Sequence, residues 1–489
     1  MDLEFSKCFA HTSALDCRWS PSGRYLASAS KYQLIVRDEN LEILHIFACQ
    51  EIVEELHWSP DSQSLLCLSL SKNVVEVFSL LDTEWRAAID EESLLPGVTA
   101  VRWAPDSKHL IIVSDFQLFV AVWSLATGSV VQHVKHPKYS WSSVLDTPER
   151  EGKEVDGRRQ EDDDTGIRGL HFSHRGRYMA VAQREGCKDY IAIYDCAKQW
   201  MLAKRIAVET QDLGDFAWSA DDRSLCVWEA SHMPYKVMFY PLSASSTTTT
   251  AAAPQKKSFS AYKDQLSIKT VAWSPDTQYI AVGSYDQTVR LINSRTWKVE
   301  MECKHTPAAT RSKETLKAHP PVTLQTVFRE IDRPWADGRG SEDEEPRPEA
   351  EGVRSTIYGV NDDPVEFKSV RVDPLKANPE LGIGMLSWSH DNSVPNMLWV
   401  WDAVKMSLVA LLVQRHPIKS ARWHPTQTRL ALCTASRVVY LWSPSACLSC
   451  DLPKDTKLHV RDIVWNPSGG SLLLVDRKAF SACYFPASA

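Results

Sequence analysis

Residues 266–292 read LSIKTVAWSPDTQYIAVGSYDQTVRLI. Side chains in 268–273 alternate with period two, as a strand packed on both faces requires. Ser274-Pro275-Asp276 supplies a tight turn, its proline preset for the first central position. A second strand is predicted over 279–284 and a third over 288–293, with Asp286 in the turn between them, where a carboxylate can accept backbone N–H bonds. A fourth follows: Trp297, Val299, Met301 and Cys303 fall on one face, and Lys298, Glu300, Glu302 and Lys304 on the other. Four antiparallel strands with a polar outer face make one propeller blade.

Weaker copies of this unit run the length of the chain, their anchoring aromatics at Trp19, Trp58, Trp103, Phe172, Trp218, Trp388, Trp423 and Trp465, beside Trp273 itself. Three inserts of different composition stretch the spacing. Residues 143–166 are highly charged (EREGKEVDGRRQEDDD) and read as a disordered acidic loop; 243–260 form a low-complexity Ser/Thr/Ala linker. Residues 306–380 are polar and proline-rich, partly disordered, with strand-like patches at 322–328 and 365–372. Without the inserts, the 489 residues leave about 41 per repeat, within the ~40–45 expected of a β-propeller blade of this class. The expected fold is therefore all-β: one propeller over 1–489 with about nine four-stranded blades. One large closed ring is favoured; two smaller rings hinged in 306–380 are the alternative, since nine blades exceed the ~4–8 of typical propellers. The last repeat has only three strands, and the stretch 3–10 reads as a strand with no blade of its own. Pairing the two would hide both exposed edges.

The bulk properties fit a large buried core: hydrophobic content is 44%, charged content 24% and net charge -7. The acidic balance argues against a nucleic-acid-coating surface, which normally shows a basic excess. The best apolar run, 408–413, is far shorter than the ~20 residues of a spanning helix, and the N-terminus lacks a signal-peptide core. A cytosolic or nuclear location is expected, with no membrane, and its twelve cysteines then read as thiols. Cys447 and Cys450 form a lone C-x-x-C pair without the second pair that completes a zinc site, so strand packing is the better reading.

No phosphate loop, nucleophile elbow, H-E-x-x-H or dinucleotide fingerprint is present. The carboxylate runs 161–164 and 342–345 lack the ligand spacing and turn glycine of a calcium loop. Ser341 and Thr165 beside them are possible phosphorylation sites. His57, His171 and His424 adjoin the blade anchors, where a structural role dominates. Asp286 and Asp402 read as blade-turn aspartates. Trp399 and Trp401, two apart, share one strand face just after the Pro395-Asn396 turn. No catalytic residue, metal or cofactor is expected, which leaves the faces, rims and loops as the working surface.

The blade pattern resembles the WD-repeat family, whose third strands end in Trp-Asp or a variant. Here those positions include Arg37-Asp38, Tyr194-Asp195, Ile292-Asn293 and Trp442-Ser443, and only Trp401-Asp402 is the literal dipeptide. More specific stretches are EWRAAIDE (84–91), GCKDYIAIYDC (186–196), TQDLGDFAWSA (210–220), 259–298, and ELGIGMLSWSHDNSVPNMLWVWD (380–402). Together they resemble, collinearly over nearly the whole chain, the WD-repeat protein eight family: the WRAP-type WD-repeat proteins of centrosomes and spindle pole bodies. The long, threonine-rich inserts look like those of a fungal member. The resemblance implies a scaffold rather than an enzyme, located in the cytoplasm and cytoskeleton at the spindle pole body or microtubule-organising centre. It implies two partners, a coiled-coil minus-end anchoring protein and a minus-end-directed kinesin, and a role in microtubule anchoring and spindle assembly. Lys188, Asp189 and Tyr190, with Pro395 and Asn396, are then candidate partner-surface positions, with blade-turn geometry as the competing reading. Two other classes stay open. A ribosome- or RNA-associated propeller would show salt-sensitive binding, and a substrate-recruiting subunit of a ubiquitin ligase would co-purify with a ligase core.

Overall fold

The computed structural model of the chain describes residues 4–11, 17–89, 98–114, 119–135, 169–230, 233, 235–242, 257–259, 268–286, 288–304, 327–330, 358–360, 397–403, 407–414, 416, 418–444, 446–453, 456 and 458–485. Among them are strands and two single turns of 3-10 helix, Leu70–Lys72 and Cys196–Lys198, with no α-helix among the described residues. The strands form nine sheets, each a blade of the expected WD40-type β-propeller fold. They divide between two compact units, Ser20–Glu302 and Met1–Trp19 with Cys303–Ala489.

In the first unit, blade 1 contains Leu26–Ser30, Gln33–Arg37 and Ile43–Ala48, blade 2 spans 55–89, blade 3 98–135, blade 4 170–207 and blade 5 213–259; blade 6 spans 268–304, all but its last two residues in this unit. Blade 6 has the strands expected from the opening sequence: Ile268–Trp273, Tyr279–Ser284, Thr288–Asn293 and Val299–Lys304, each hydrogen-bonded to the next. A one-residue slip between Ile268 and Thr270 recurs between Val98 and Ala100 and between Leu213 and Asp215. Such bulges bend the strand and re-aim its side chains.

The core lies between blades. Along the second strand of blade 4, Met179 and Val181 join Ile111, Val113 and Val122 of blade 3. Their neighbours Ala180 and Ala182 point the other way, toward Leu213, Phe216 and Trp218 of blade 5. A strand buried on both faces has no polar face to alternate with, so the centre of this strand, 179–182, is continuously apolar.

The second unit has blade 7 (327–413), blade 8 (420–451) and blade 9 (462–484). Blade 9 takes its missing strand from the start of the chain: Glu4 and Phe5 pair with Tyr484 and Cys483, and Phe9 and Ala10 with Phe480 and Ala479. Phe9 stacks on Phe480 at 5.4 Å, and the Ser6 hydroxyl accepts from the Ala482 N–H at 2.9 Å. The two stretches of the chain thus share one sheet, as the three-stranded last repeat predicted. In blade 7, Met397–Asp402 and Ser407–Val413 pair antiparallel. Val327–Glu330, from the long insert, adds in parallel to Ser407–Val413, and Tyr358–Val360 adds beyond it. The insert therefore widens a blade. The patch 365–372, the anchor Trp388, the acidic loop 143–166 and all of 243–260 except 257–259 lie outside the described residues.

Two devices tie neighbouring blades together. First, the anchor indoles of blades 3, 5 and 9 donate to a main-chain carbonyl of the preceding blade, one residue before its own anchor. Trp103 Nε1 donates to His57 O at 3.2 Å, Trp218 Nε1 to His171 O at 3.1 Å, and Trp465 Nε1 to Arg422 O at 2.9 Å. Second, in seven of the eight described anchor turns the fourth residue lies at positive φ: Gly23, Ser62, Ser107, Gly176, Asp222, Thr277 and Gly469. At 62, 107 and 222 its side chain accepts from the turn of the preceding blade. Ser62 Oγ takes the Ser22 N–H at 3.0 Å and Ser107 Oγ the Asp61 N–H at 3.1 Å. The Asp222 carboxylate takes the N–H groups of His174 at 2.7 Å and Arg175 at 3.0 Å. At 176 the preceding turn allows only glycine: a Cβ there would sit 2.5 Å from Pro105 Cβ. At 469 the His424 ring fills the same space.

Candidate interaction surface

The polar clusters at the blade turns are internally satisfied. The turn between the second and third strands of blade 6 shows the geometry most fully. Asp286 Oδ1 accepts from Ser284 Oγ at 2.8 Å and Thr288 N at 3.0 Å, and Oδ2 from Arg290 Nη2 at 2.7 Å. Burial alone would raise the Asp286 carboxyl, but the Arg290 bond, with Ser284 and Thr288, outweighs it and holds the group below its ordinary value. Arg290 is also buried; its Nη1 donates to Ser284 Oγ at 3.0 Å and its Nε to Glu302 at 3.3 Å. The guanidinium lies 5.4 Å from the ring centre of buried Tyr235. Asp286 is thus a turn-closing carboxylate. Asp402 ends its strand in blade 7, half-buried and paired with Ser407.

The anchor-adjacent histidines are held in the same way. Arg102 Nη1 lies 3.2 Å from both Glu55 Oε2 and His57 Nε2. His171 Nε2 meets Asp215 Oδ1 at 2.9 Å, with its ring edge-on to Phe216. His424 fits one tautomer: Nε2–H donates to Gly469 O at 3.1 Å, and Nδ1 accepts from Thr426 N at 3.2 Å and Gln427 N at 3.1 Å. Burial lowers its pKa. Cys447 and Cys450 point into different cores, the first between blades 7 and 8, the second between blades 8 and 9. They cannot share a metal ion, and burial pushes the Cys450 thiol up to about 11. Among the described residues, no group of three or more His, Cys, Asp or Glu side chains is placed to hold a metal.

The candidate partner-surface positions separate. Blade 4 carries a hairpin of two eight-residue strands, Tyr178–Glu185 and Lys188–Asp195. It is closed by Gly186 and Cys187, both at positive φ, the two-residue turn whose twist matches its strands. Lys188 is exposed near the tip. Asp189 is 1% exposed and accepts from Thr210 Oγ1 at 2.9 Å and Leu213 N at 2.8 Å. Tyr190 is half-buried beneath Arg205, 4.1 Å from its ring centre. Of these three, Lys188 offers a free-standing contact, and Asp189 takes the turn-geometry reading. Pro395 and Asn396 lie outside the described residues. Trp399 and Trp401 do share a face, stacked 6.3 Å apart with planes at 10°.

A surface feature not anticipated from the repeats is the fourth strand of blade 1, Ile43–Ala48. Ile43 is 55% exposed, Leu44 44% and Ile46 56%. Exposed Tyr32 and Ile52 flank it. The signal is present in the sequence, where ILHIFA carries no acidic or basic residue other than histidine, but the repeat signature lies in the first three strands of a blade and does not extend to it.

A family model of the WD domain, G-beta repeat, matches residues 4–36 and 254–293. The mouse WD repeat-containing protein WRAP73 is 34% identical, over 99% of this chain and 96% of its own. An uncharacterized WD repeat-containing protein of Schizosaccharomyces pombe is 22% identical over 88% of this chain and 78% of its own. Among solved structures, Kuenenia stuttgartiensis hydrazine synthase covers 58% of this chain and 77% of its own at a TM-score of 0.34 and 12% identity, a likeness that carries no argument.

Proposed function

The chain belongs to the WRAP73 family of WD-repeat proteins, and on that premise we propose that it is a non-catalytic scaffold at the spindle pole body or centrosome. In this reading it helps tether microtubule minus ends and supports spindle assembly. Its partners are a coiled-coil minus-end anchoring protein and a minus-end-directed kinesin, held through protein–protein contacts. The observation that carries the proposal is the collinear identity across 99% of the chain. A match of that extent is made by the whole repeat array, whereas one shared blade motif would indicate only the fold. The polar clusters add support, because the carboxylates and histidines at the turns serve blade geometry.

Affinity purification of the endogenously tagged protein from mitotic cells tests the partner set. Recovery of a coiled-coil pole component and a minus-end-directed kinesin, resistant to nuclease, is expected. Recovery instead of ribosomal subunits lost on nuclease treatment, or of a ubiquitin-ligase core, would replace the proposal with one of the other two classes.

A further inference from the structure

The blade edges carry a pattern that singles out one of them. A sheet edge invites another strand, and proteins block that with charged residues. The fourth strands of blades 2, 3, 4, 6 and 8 carry Arg86, Lys135, Lys204, Glu300 and Asp451, and those of blades 5 and 9 carry Lys257 and Glu4. Among the described residues, only Ile43–Ala48 in blade 1 and Ser407–Val413 in blade 7 are fourth strands with no Asp, Glu, Lys or Arg. The blade 7 strand is covered: Val327–Glu330 pairs along it, with Val327 opposite Leu411 and Arg329 opposite Val413. The blade 1 strand pairs with Gln33–Arg37 on one side and ends its sheet on the other. Its apolar side chains stand exposed. Among the described residues, then, two unguarded edges exist and one has its added strand.

We propose that the edge Ile43–Ala48 of blade 1 is a docking site for an extended segment of a partner protein, apolar at its centre and flanked by Lys or Arg, which adds as a further strand. The proposal rests on the scaffold reading and specifies the chemistry of one contact. Main-chain bonds along the strand supply affinity, and Ile43, Ile46 and the neighbouring Tyr32 and Ile52 select apolar side chains. The flanks are chosen by charge: Glu39 and Glu42 are exposed at one end of the strand, and at the other half-buried Glu51 lies near exposed Lys31. The same charges disfavour a second copy of this chain, because antiparallel self-pairing would set the Glu39/Glu42 end of one copy against the Glu51 end of the other. Like charges directly opposed across a strand pair are destabilising.

The test uses the purified full chain and fluorescent peptides of about nine residues, the length of a strand with its flanks. Each has a centre of alternating valine and threonine between pairs of lysines, or between pairs of glutamates. Anisotropy should show binding of the lysine-flanked probe that weakens with salt and slowed amide exchange in 43–48. Ile46→Lys, a change at an exposed side chain, should weaken it at least about tenfold. The double variant Glu39→Lys/Glu42→Lys should shift preference toward the glutamate-flanked probe. Three results would overturn the proposal: no binding of the lysine-flanked probe up to millimolar concentration, equal binding by Ile46→Lys, or a wild-type dimer that Ile46→Lys separates. Each would remove this docking edge and leave the scaffold proposal standing, since none reads localisation or the partner set.

Discussion

At the scale of single residues, stability is concentrated where one blade meets the next. Trp218 fills the core between blades 4 and 5 and donates its indole N–H to His171 O. Trp218→Phe keeps an aromatic but removes the indole bond to that carbonyl, and should cost about 1 kcal/mol in denaturant unfolding. An unchanged midpoint would show that the indole bond is incidental. His424 makes the pH dependence explicit. Its neutral Nδ1 accepts two backbone N–H groups, so protonation of the folded form must break them. With the folded pKa lowered by burial, the unfolded chain takes up the proton first. Stability is therefore lost as pH falls through the unfolded value of about 6.5. Wild type and His424→Gln should converge in stability between pH 7.5 and 5.5, and parallel curves would contradict the assignment. Asp286 has the same sign in a lower window: its depressed pKa gives a contribution present above about pH 3.9 and lost as pH falls through the folded value.

At the scale of elements, the turn after each anchor was only partly legible. The Ser-Pro-Asp signature announces a tight turn, and the strands around Ser274 lie where alternation put them. What local pattern could not show is why the fourth turn residue is Ser at 62, Asp at 222 and Gly at 176. Its identity is set by the preceding blade, through a hydrogen bond in the first two and through Pro105 in the third. Asp189 is a related case: in sequence it sits in a hairpin that looks exposed, yet its carboxylate turns inward to Thr210 and Leu213. The insert 306–380 is polar and partly strand-like in sequence, but the parallel addition of its segment Val327–Glu330 to blade 7 is a long-range pairing that no local pattern encodes. The segment 335–353, GRGSEDEEPRPEAEG with its neighbours, has too little apolar surface to build a core. Its deletion should leave the melting temperature within about 2 °C of wild type, since 1 kcal/mol already shifts a domain of this class by a few degrees. A larger fall would show that the segment packs against a blade.

At the scale of the whole molecule, the repeat made the chain readable from 27 residues, and the same regularity concealed function, because a blade's internal polar network is the same whatever the protein binds. Glu4–Phe5 and Phe9–Ala10 complete blade 9, so deletion of 1–11 should expose the edge of Ala479–Tyr484 and bring aggregation well below the wild-type melting temperature, as unguarded edges do. Light scattering during a thermal ramp reads this directly. The proposed partners are inferred from the kinship along the chain and need an independent test. The most direct measurement of the central claim is therefore location: the endogenously tagged protein imaged through mitosis beside a spindle-pole marker, before and after microtubule depolymerisation. The account predicts a focus at each pole that persists without microtubules, as an anchoring scaffold requires. A signal diffuse through the cytosol at every stage, with no focus at the pole, would contradict it.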